Sequence, residues 1–239
     1  MTYTFAVTEV KEIAPAARMR PWIDSYWSRP ASSTPAPERI LPDGCADIVF
    51  AVDAGVAMIV GTMTRPLLLA GGDVPAYFGI RFRPGRARAF LRLPLHEITD
   101  QRVPLDDIDL AARVASAGDA AARVAVVESW LVRRFAESDP RVDRAVELLS
   151  RGRSVDAVAR EVNLSRQHLR RRFLEHVGVG PKTFARVARF QRLLERIRRD
   201  AAPSWAATAA DLGYFDQSHL IADFRELAGS TPVPFFLST

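Results

Sequence analysis

SVDAVAREVNLSRQHLRRRFLEHVGVGPKTF, residues 154–184, decides the fold, because its plan returns in SWAATAADLGYFDQSHLIADFRELAGSTPVPFF, residues 204–236. Ser154/Ser204, Ala157/Ala207, Ala159/Ala209 and the apolar pair Val162/Leu212 align at a shift of fifty. After one inserted residue, His168/His219, Leu169/Leu220, Phe173/Phe224, Gly178/Gly229, Pro181/Pro232 and Phe184/Phe235 align at fifty-one. Identities held at one shift, in helical register, mark a repeated supersecondary unit.

Each unit reads as a helix, a tight turn and a second helix. Ser154 is an N-cap for a short helix with Val155, Val158, Ala159 and Val162 on its inner face. The small Ala159 lets a second helix cross closely. Asn163 tolerates a left-handed backbone at the turn, and Leu164 fills the angle. Ser165 caps the second helix, Leu169, Phe173 and Val177 point inward, and Gly178 stops it. Its outer face is Gln167, Arg170, Arg171 and Leu174. In the second unit Trp205, Ala209 and Leu212 face inward and Gly213-Tyr214 makes the turn. Asp216 then caps a helix with Leu220, Phe224 and Leu227 inside and Gln217, Ser218, Ile221 and Ala222 outside. Pro181–Arg199 joins the units as an arginine-rich linker helix. Its length of roughly 28 Å approaches the roughly 34 Å between successive turns of a DNA groove.

Charge follows the same division. Residues 151–199 hold 14 Lys/Arg against 4 Asp/Glu, residues 200–239 hold one Arg against five acids, and the whole chain carries +5. Such a block is the footprint of a phosphate-binding surface or of a solvated helical face. The solvated face accounts for Arg170 and Arg171, but not for the repeated cap, turn and glycine stop. Arg on an outer face can bond guanine O6 and N7, and Gln can bond adenine.

The first 110 residues have a different texture. Short apolar runs at Cys45–Val52, Val56–Val60, Leu67–Ala70 and Tyr77–Phe82 are separated by Pro42-Asp43-Gly44, Asp53-Ala54-Gly55, Gly71-Gly72-Asp73 and Arg83-Pro84-Gly85. That pattern predicts short strands in a small barrel or sandwich. Ala31–Pro37 reads as a polar, proline-rich loop. Helical spacing takes over at Ala111–Ala117 and Asp119–Phe135. Pro140, behind Asp139 as a cap, starts the next helix. The expected domains are therefore 1–138 and 139–239.

AREVNLSRQHLRRRF, GVGPKTFARVARFQRLL and AADLGYFDQSHLIADFRELAGSTPVPFF closely resemble the AraC/XylS family of bacterial transcription regulators, over about Val142 to Phe236. The resemblance implies a double helix-turn-helix that reads duplex DNA. It places Ser165, Arg166, Gln167, Arg170 and Arg171 at the DNA contacts of the first recognition helix. Asp216, Gln217, Ser218 and Ala222 take the corresponding places in the second. Ala222 stands where the family often has Arg, which points to a lighter second reader. Lys182, Arg186 and Arg189 are candidate phosphate contacts. LPDGCADIVF, FGIRFRPGRARAFL and LPLHEITDQRVPLDD resemble the amino-terminal domains of actinobacterial AraC-like proteins. Those are commonly cupin-like barrels that bind an effector or dimerise.

The expected fold is therefore α+β: a β-rich, cupin-like amino-terminal barrel with flanking helices, then an all-α domain of two helix-turn-helix units joined by a linker helix. The implied partners are promoter DNA, RNA polymerase, a small-molecule effector and a second copy of the chain. No membrane partner is expected, because no run of eighteen apolar residues exists. No signal peptide is visible, so a cytoplasmic location is expected. Trp22, Tyr26, Trp27, Arg81 and Arg83 are candidate effector-pocket residues. Trp22 and Tyr26 fall at i, i+4 if the stretch is helical, and the aromatics suit core packing better than a ligand pocket; the arginines equally suit a solvated face.

No cofactor is expected. His96 is the sole histidine before His168, and a metal site from it with Asp43, Cys45 and Asp47 would be unusual. Some proteins join this kind of DNA-binding domain to alkyl-damage repair through a reactive cysteine and a Cys-rich zinc site. Cys45, the single cysteine, cannot supply the latter. No Ser-His-Asp order, phosphate loop or catalytic carboxylate pair stands out, so an enzyme is not expected. An architectural DNA binder is the other alternative, and the long amino-terminal part argues against it.

Overall fold

The computed structural model describes residues 4–5, 10–34, 38–70, 72–199, 204–232 and 235. Parts of the expected leader-free start and residues 35–37 of the predicted loop lie outside these. The amino-terminal strands are β1 (Thr4–Phe5), β2 (Lys11–Ile13), β3 (Ile23–Arg29), β4 (Ser32–Thr34), β5 (Glu38–Ile40), β6 (Ala46–Ala51), β7 (Val56–Val60), β8 (Leu67–Leu69), β9 (Gly72–Val74), β10 (Tyr77–Phe82) and β11 (Arg102–Pro104). Between the last two lie helix α1 (Arg88–Leu91) and a 3-10 turn, Leu95–Ile98. Helices α2 (Ile108–Ser116) and α3 (Ala120–Arg134) follow. The rest is α4 (Pro140–Ser150), α5 (Val155–Glu161), α6 (Arg166–Val177), α7 (Pro181–Arg199), α8 (Trp205–Leu212) and α9 (Gln217–Ala228). The chain is thus α+β, as expected.

An antiparallel six-stranded sheet, ordered β11-β7-β6-β10-β3-β2, organises the amino-terminal part. Strand alternation gives its two faces different work. Ile48, Phe50, Ile59, Phe78, Ile80 and Phe82 are buried in one core with Phe90 of α1, Val114 of α2 and Leu131 of α3. Val49, Met58, Tyr77 and Arg81 line a cavity on the opposite face. Ile40, Leu67 and Leu69 of the small sheet β1-β5-β8 close that cavity from across. Both faces are covered, so β10 reads as an almost unbroken hidden run rather than an alternation.

In the carboxy-terminal part, α7 serves two cores. Its first turns place Phe184 with Val142, Ala159, Leu169 and Phe173. Two turns on, Phe190 and Leu194 pack with Ala209, Leu220, Phe224 and Phe235. Burying each such aromatic contributes roughly 1.5–3 kcal/mol, which fixes both units to one helix. No helix among the described residues is long and apolar enough to cross a membrane.

The two parts are docked. Thr62 Oγ1 donates to the Val177 carbonyl at 2.6 Å and Thr99 Oγ1 to the Gly178 carbonyl at 2.7 Å. Arg86 pairs with Asp143 at 2.5 Å. Leu41, 2% exposed, belongs to the core of the second unit.

Candidate nucleic-acid interface

The repeated caps form in both units. Ser154 accepts from the Ala157 amide at 3.3 Å and Ser204 from Ala207 at 3.5 Å. Ser165 accepts from His168 at 3.2 Å and Asp216 from His219 at 2.7 Å. The turns take left-handed backbones at Asn163 (φ 54°) and Gly213 (φ 76°), and the stops do so at Gly178 (φ 92°) and Gly229 (φ 77°). Each second helix is therefore held at both ends, with its polar face free.

On α6, Gln167, His168, Arg170 and Arg171 are exposed, and neither Arg170 nor Arg171 makes an ion pair with a described residue. Arg166 pairs with Asp156 of α5 at 2.5 Å, and Arg172 with Asp139 at 3.4 Å. The arginines flanking the centre thus make ion pairs within the domain, while the central pair faces outward. On α9, Gln217, Ser218 and Ala222 are exposed beside the cap Asp216. Sequence reasoning missed Phe215, which stands 91% exposed in the turn leading into α9.

Lys182 is exposed at the start of α7. Arg186 and Arg189, the other candidate phosphate contacts, lie against α9 and pair with its acids. Arg186 Nε bonds Asp223 at 2.7 Å, and its other nitrogens take both oxygens of Glu226. Arg189 bonds the second oxygen of Asp223 at 2.7 Å and lies 4.2 Å from the Tyr214 ring centroid. Hydrogen bonding to Glu226, and then to Asp223, raises Arg186 above the usual guanidinium range. Only a count of acids on the inward edge of α9, Asp223 above all, could have signalled this.

The five candidate pocket residues are divided by the strand. Trp22, Tyr26 and Trp27 lie at or within β3 rather than on a helix, so Tyr26 and Trp27 face opposite ways. Tyr26 is fully buried on the helix side, its hydroxyl donating to Glu128 at 3.3 Å. Burial, and then the Glu128 charge, push that phenol well up. Trp22 packs edge-on against Phe135, 5.1 Å between centroids. Trp27 and Arg81 do line the cavity. Arg83 lies past the end of β10, half-exposed, bonding the Arg20 carbonyl at 2.8 Å.

The Asp43, Cys45 and Asp47 group converges on Arg81. Asp47 bonds its guanidinium at 3.3 Å, and Asp43 lies 3.6 Å away. Burial, and then Asp43, raise the Cys45 thiol well above its usual range, so it is a poor nucleophile. His96 is exposed on the 3-10 turn. A second buried pair, Arg29 with Glu38 at 2.6 and 2.5 Å, crosses from β3 to β5 beside the cavity. No local sequence pattern announced that pair, since it depends on two sheets meeting.

Residues 158–236 match a helix-turn-helix domain family, and residues 11–104 match a domain family of unknown function, DUF6597. No curated protein matches at a significant level. Solved structures of ToxT from Vibrio cholerae are similar at low identity. An apo form is 12% identical, covering 98% of this chain and 97% of that one with a TM-score of 0.44. A second crystal form is 10% identical, covering 97% of each chain with a TM-score of 0.45. A form bound to (E)-4-(8-methylnaphthalen-1-yl)but-3-enoic acid is 11% identical, covering 98% of this chain and 99% of that one with a TM-score of 0.43.

Proposed function

We propose, from the match of residues 158–236 to a helix-turn-helix domain family and from their resemblance to the AraC/XylS family, that this chain regulates transcription by sequence-specific binding to duplex DNA. Residues 139–239 are the DNA-binding domain, and residues 1–138 set its state by binding a small molecule, by dimerising, or both. The observation that carries the reading is the outward face of α6. Gln167, Arg170 and Arg171 are exposed on a capped helix whose other arginines are tied down.

In this mechanism α6 enters the major groove amino end first. Arg171 and Arg170 meet guanine edges or phosphates, and Gln167 meets adenine. Lys182 and the exposed α6 side chains supply the phosphate contacts. The second helix, with Gln217, Ser218 and Ala222, adds shape and short polar contacts but little charge. Promoter-bound protein then contacts RNA polymerase. Nothing in this mechanism needs a cofactor or a catalytic group.

The test is selection of bound fragments from a genomic DNA pool by the full chain, then titration of the recovered site at several salt concentrations. Tight binding with a steep inverse salt dependence is expected. A folded chain that binds no duplex even at low salt would overturn the reading.

A further inference from the structure

The second helix-turn-helix unit holds a residue for which the first has no counterpart. Asn163 and Gly213 make the left-handed turns. Leu164 and Tyr214 then donate backbone bonds to the carbonyls of Ala159 and Ala209, at 3.0 and 2.9 Å. Both pairs align at a shift of fifty, and Leu164 and Tyr214 pack against the cores of their own units. The caps Ser165 and Asp216 align at fifty-one. The inserted residue is therefore Phe215, between turn and cap.

Tyr214, 5% exposed, fills the place that Leu164 fills, and Phe215 is left 91% exposed. Its ring forgoes the burial that an aromatic of this size would gain. The backbone beneath it is held all the same. Phe215 N–H donates to His219 Nδ1 at 3.2 Å, and that imidazole stands edge-on to the Tyr214 ring, 5.4 Å between centroids. The ring is thus presented from a fixed turn at the amino end of α9. In a helix-turn-helix, the amino end of the second helix is the part that reaches base edges.

The rest of the α9 face matches it. At a shift of fifty-one, Arg170 and Arg171 align with Ile221 and Ala222. Where α6 offers guanidinium groups, α9 offers aliphatic ones, Ala222 exposed and Ile221 half-buried. The side chains of Phe215, Ile221 and Ala222 have no hydrogen-bonding atom. In the major groove such groups recognise the C5 methyl of thymine, which the other bases lack. The exposed residues that follow, Asp216, Gln217 and Ser218, are polar. The ring is therefore a single apolar point, unlike the broad apolar patch that docks another protein. Arg225 is exposed in the same groove as Ser218, Ile221 and Ala222, in place for a phosphate.

We infer that the second unit reads thymine methyl groups, with Phe215 as the principal contact. The two helices then read different chemistry, α6 the polar base edges and α9 the methyls. The inference rests on the reading of this chain as a duplex-DNA binder.

The test uses the full chain and the site recovered from the genomic pool. Each thymine is replaced in turn by deoxyuridine, which removes the methyl and keeps the base pair. Fluorescence anisotropy compares wild type, Phe215→Ala and Phe215→Leu on these duplexes and on a random duplex. Wild type loses about fourfold when the contacted thymine loses its methyl. That thymine lies about 10 base pairs from the position sensitive to Arg171→Ala. Phe215→Ala weakens the selected site by about tenfold, spares the random duplex and no longer senses the methyl. Phe215→Leu keeps an apolar tip and still senses it. The ring is exposed, so Phe215→Ala melts like wild type; an unfolded variant would make the ring a core group and overturn the inference.

Unchanged binding by Phe215→Ala would assign the ring to a protein partner or to none. Equal losses on selected and random duplexes would make it a non-specific wedge. A methyl response that survives Phe215→Ala would take thymine away from this residue. Each of these overturns the inference and leaves duplex binding intact. Absence of binding to any duplex strikes the regulatory reading, and the inference falls with it.

Discussion

At the scale of single residues, arginine is sorted by its partners. Arg171 has none among the described residues, whereas Arg186 is clasped by Asp223 and Glu226. Arg171→Ala should cost about 1–3 kcal/mol at the selected site and relax discrimination at one base pair. Equal losses on selected and random DNA would reduce Arg171 to a phosphate contact. Arg186→Ala should instead lower thermal stability and leave the salt dependence of DNA binding nearly unchanged. Asp47 gives a pH signature. Burial pushes its carboxyl up to about 6 from 3.8, against the pull of Arg81 and with a further push from Asp43. The folded chain holds this proton more tightly than the unfolded chain. The stability it contributes is complete below pH about 4 and is lost as pH rises through about 6. Asp47→Asn should therefore gain stability relative to the wild-type chain between pH 4 and pH 7. Urea denaturation at both pH values checks this, and a relative loss would refute it.

At the scale of elements, α6 is finished by groups from a distant part of the chain. Its last carbonyls would be orphans at a helix end, and Thr62 and Thr99 bond two carbonyls there, those of Val177 and Gly178. Thr62→Val and Thr99→Val should each destabilise by about 1 kcal/mol, and amide exchange should quicken first in the last turn of α6. Uniform quickening across the chain would show that the caps are not local. The same helix shows why part of the fold was legible in sequence. Its N-cap, turn, inward apolar spacing and glycine stop are local chemistry, read from Asn163, Ser165, Leu169, Phe173 and Gly178. The two threonines were invisible, because a hydroxyl capping a helix 115 or 79 residues away leaves no local pattern. β3 misled for a related reason. Trp22 and Tyr26 have helical spacing, but the pairing of β3 with β10 and β2 fixes it as a strand. Of the candidate pocket, only Trp27 and Arg81 meet in one space. Of the recognition face, the exposed residues were legible, and the acids that take Arg186 and Arg189 were not.

At the scale of the molecule, the amino-terminal part is a structural member of the second helix-turn-helix unit. Leu41 is 2% exposed inside a core otherwise made by α7, α8, α9, Tyr214 and Phe235. Gln191 of α7 bonds the Pro42 carbonyl at 2.5 Å, and the Gly44 backbone lies against Phe184. The segment from Arg39 to Gly44 therefore touches both units, at either end of the linker helix. Domain interfaces within a chain are often polar and permit relative motion, but here a leucine is seated in the neighbour's core. Removing that side chain should cost about 2–5 kcal/mol, as other buried leucines do. Leu41→Ala should thus weaken the second unit while the sheet, whose core is separate, keeps its own stability. Calorimetry of the wild-type chain should show one cooperative transition, and Leu41→Asp, which adds an unpaired charge, should split it into two. Hydrogen exchange would assign the earlier transition to residues 205–228. A single unshifted transition in both variants would show that the docking contributes nothing to the second unit, and that the two parts fold as neighbours rather than as one body.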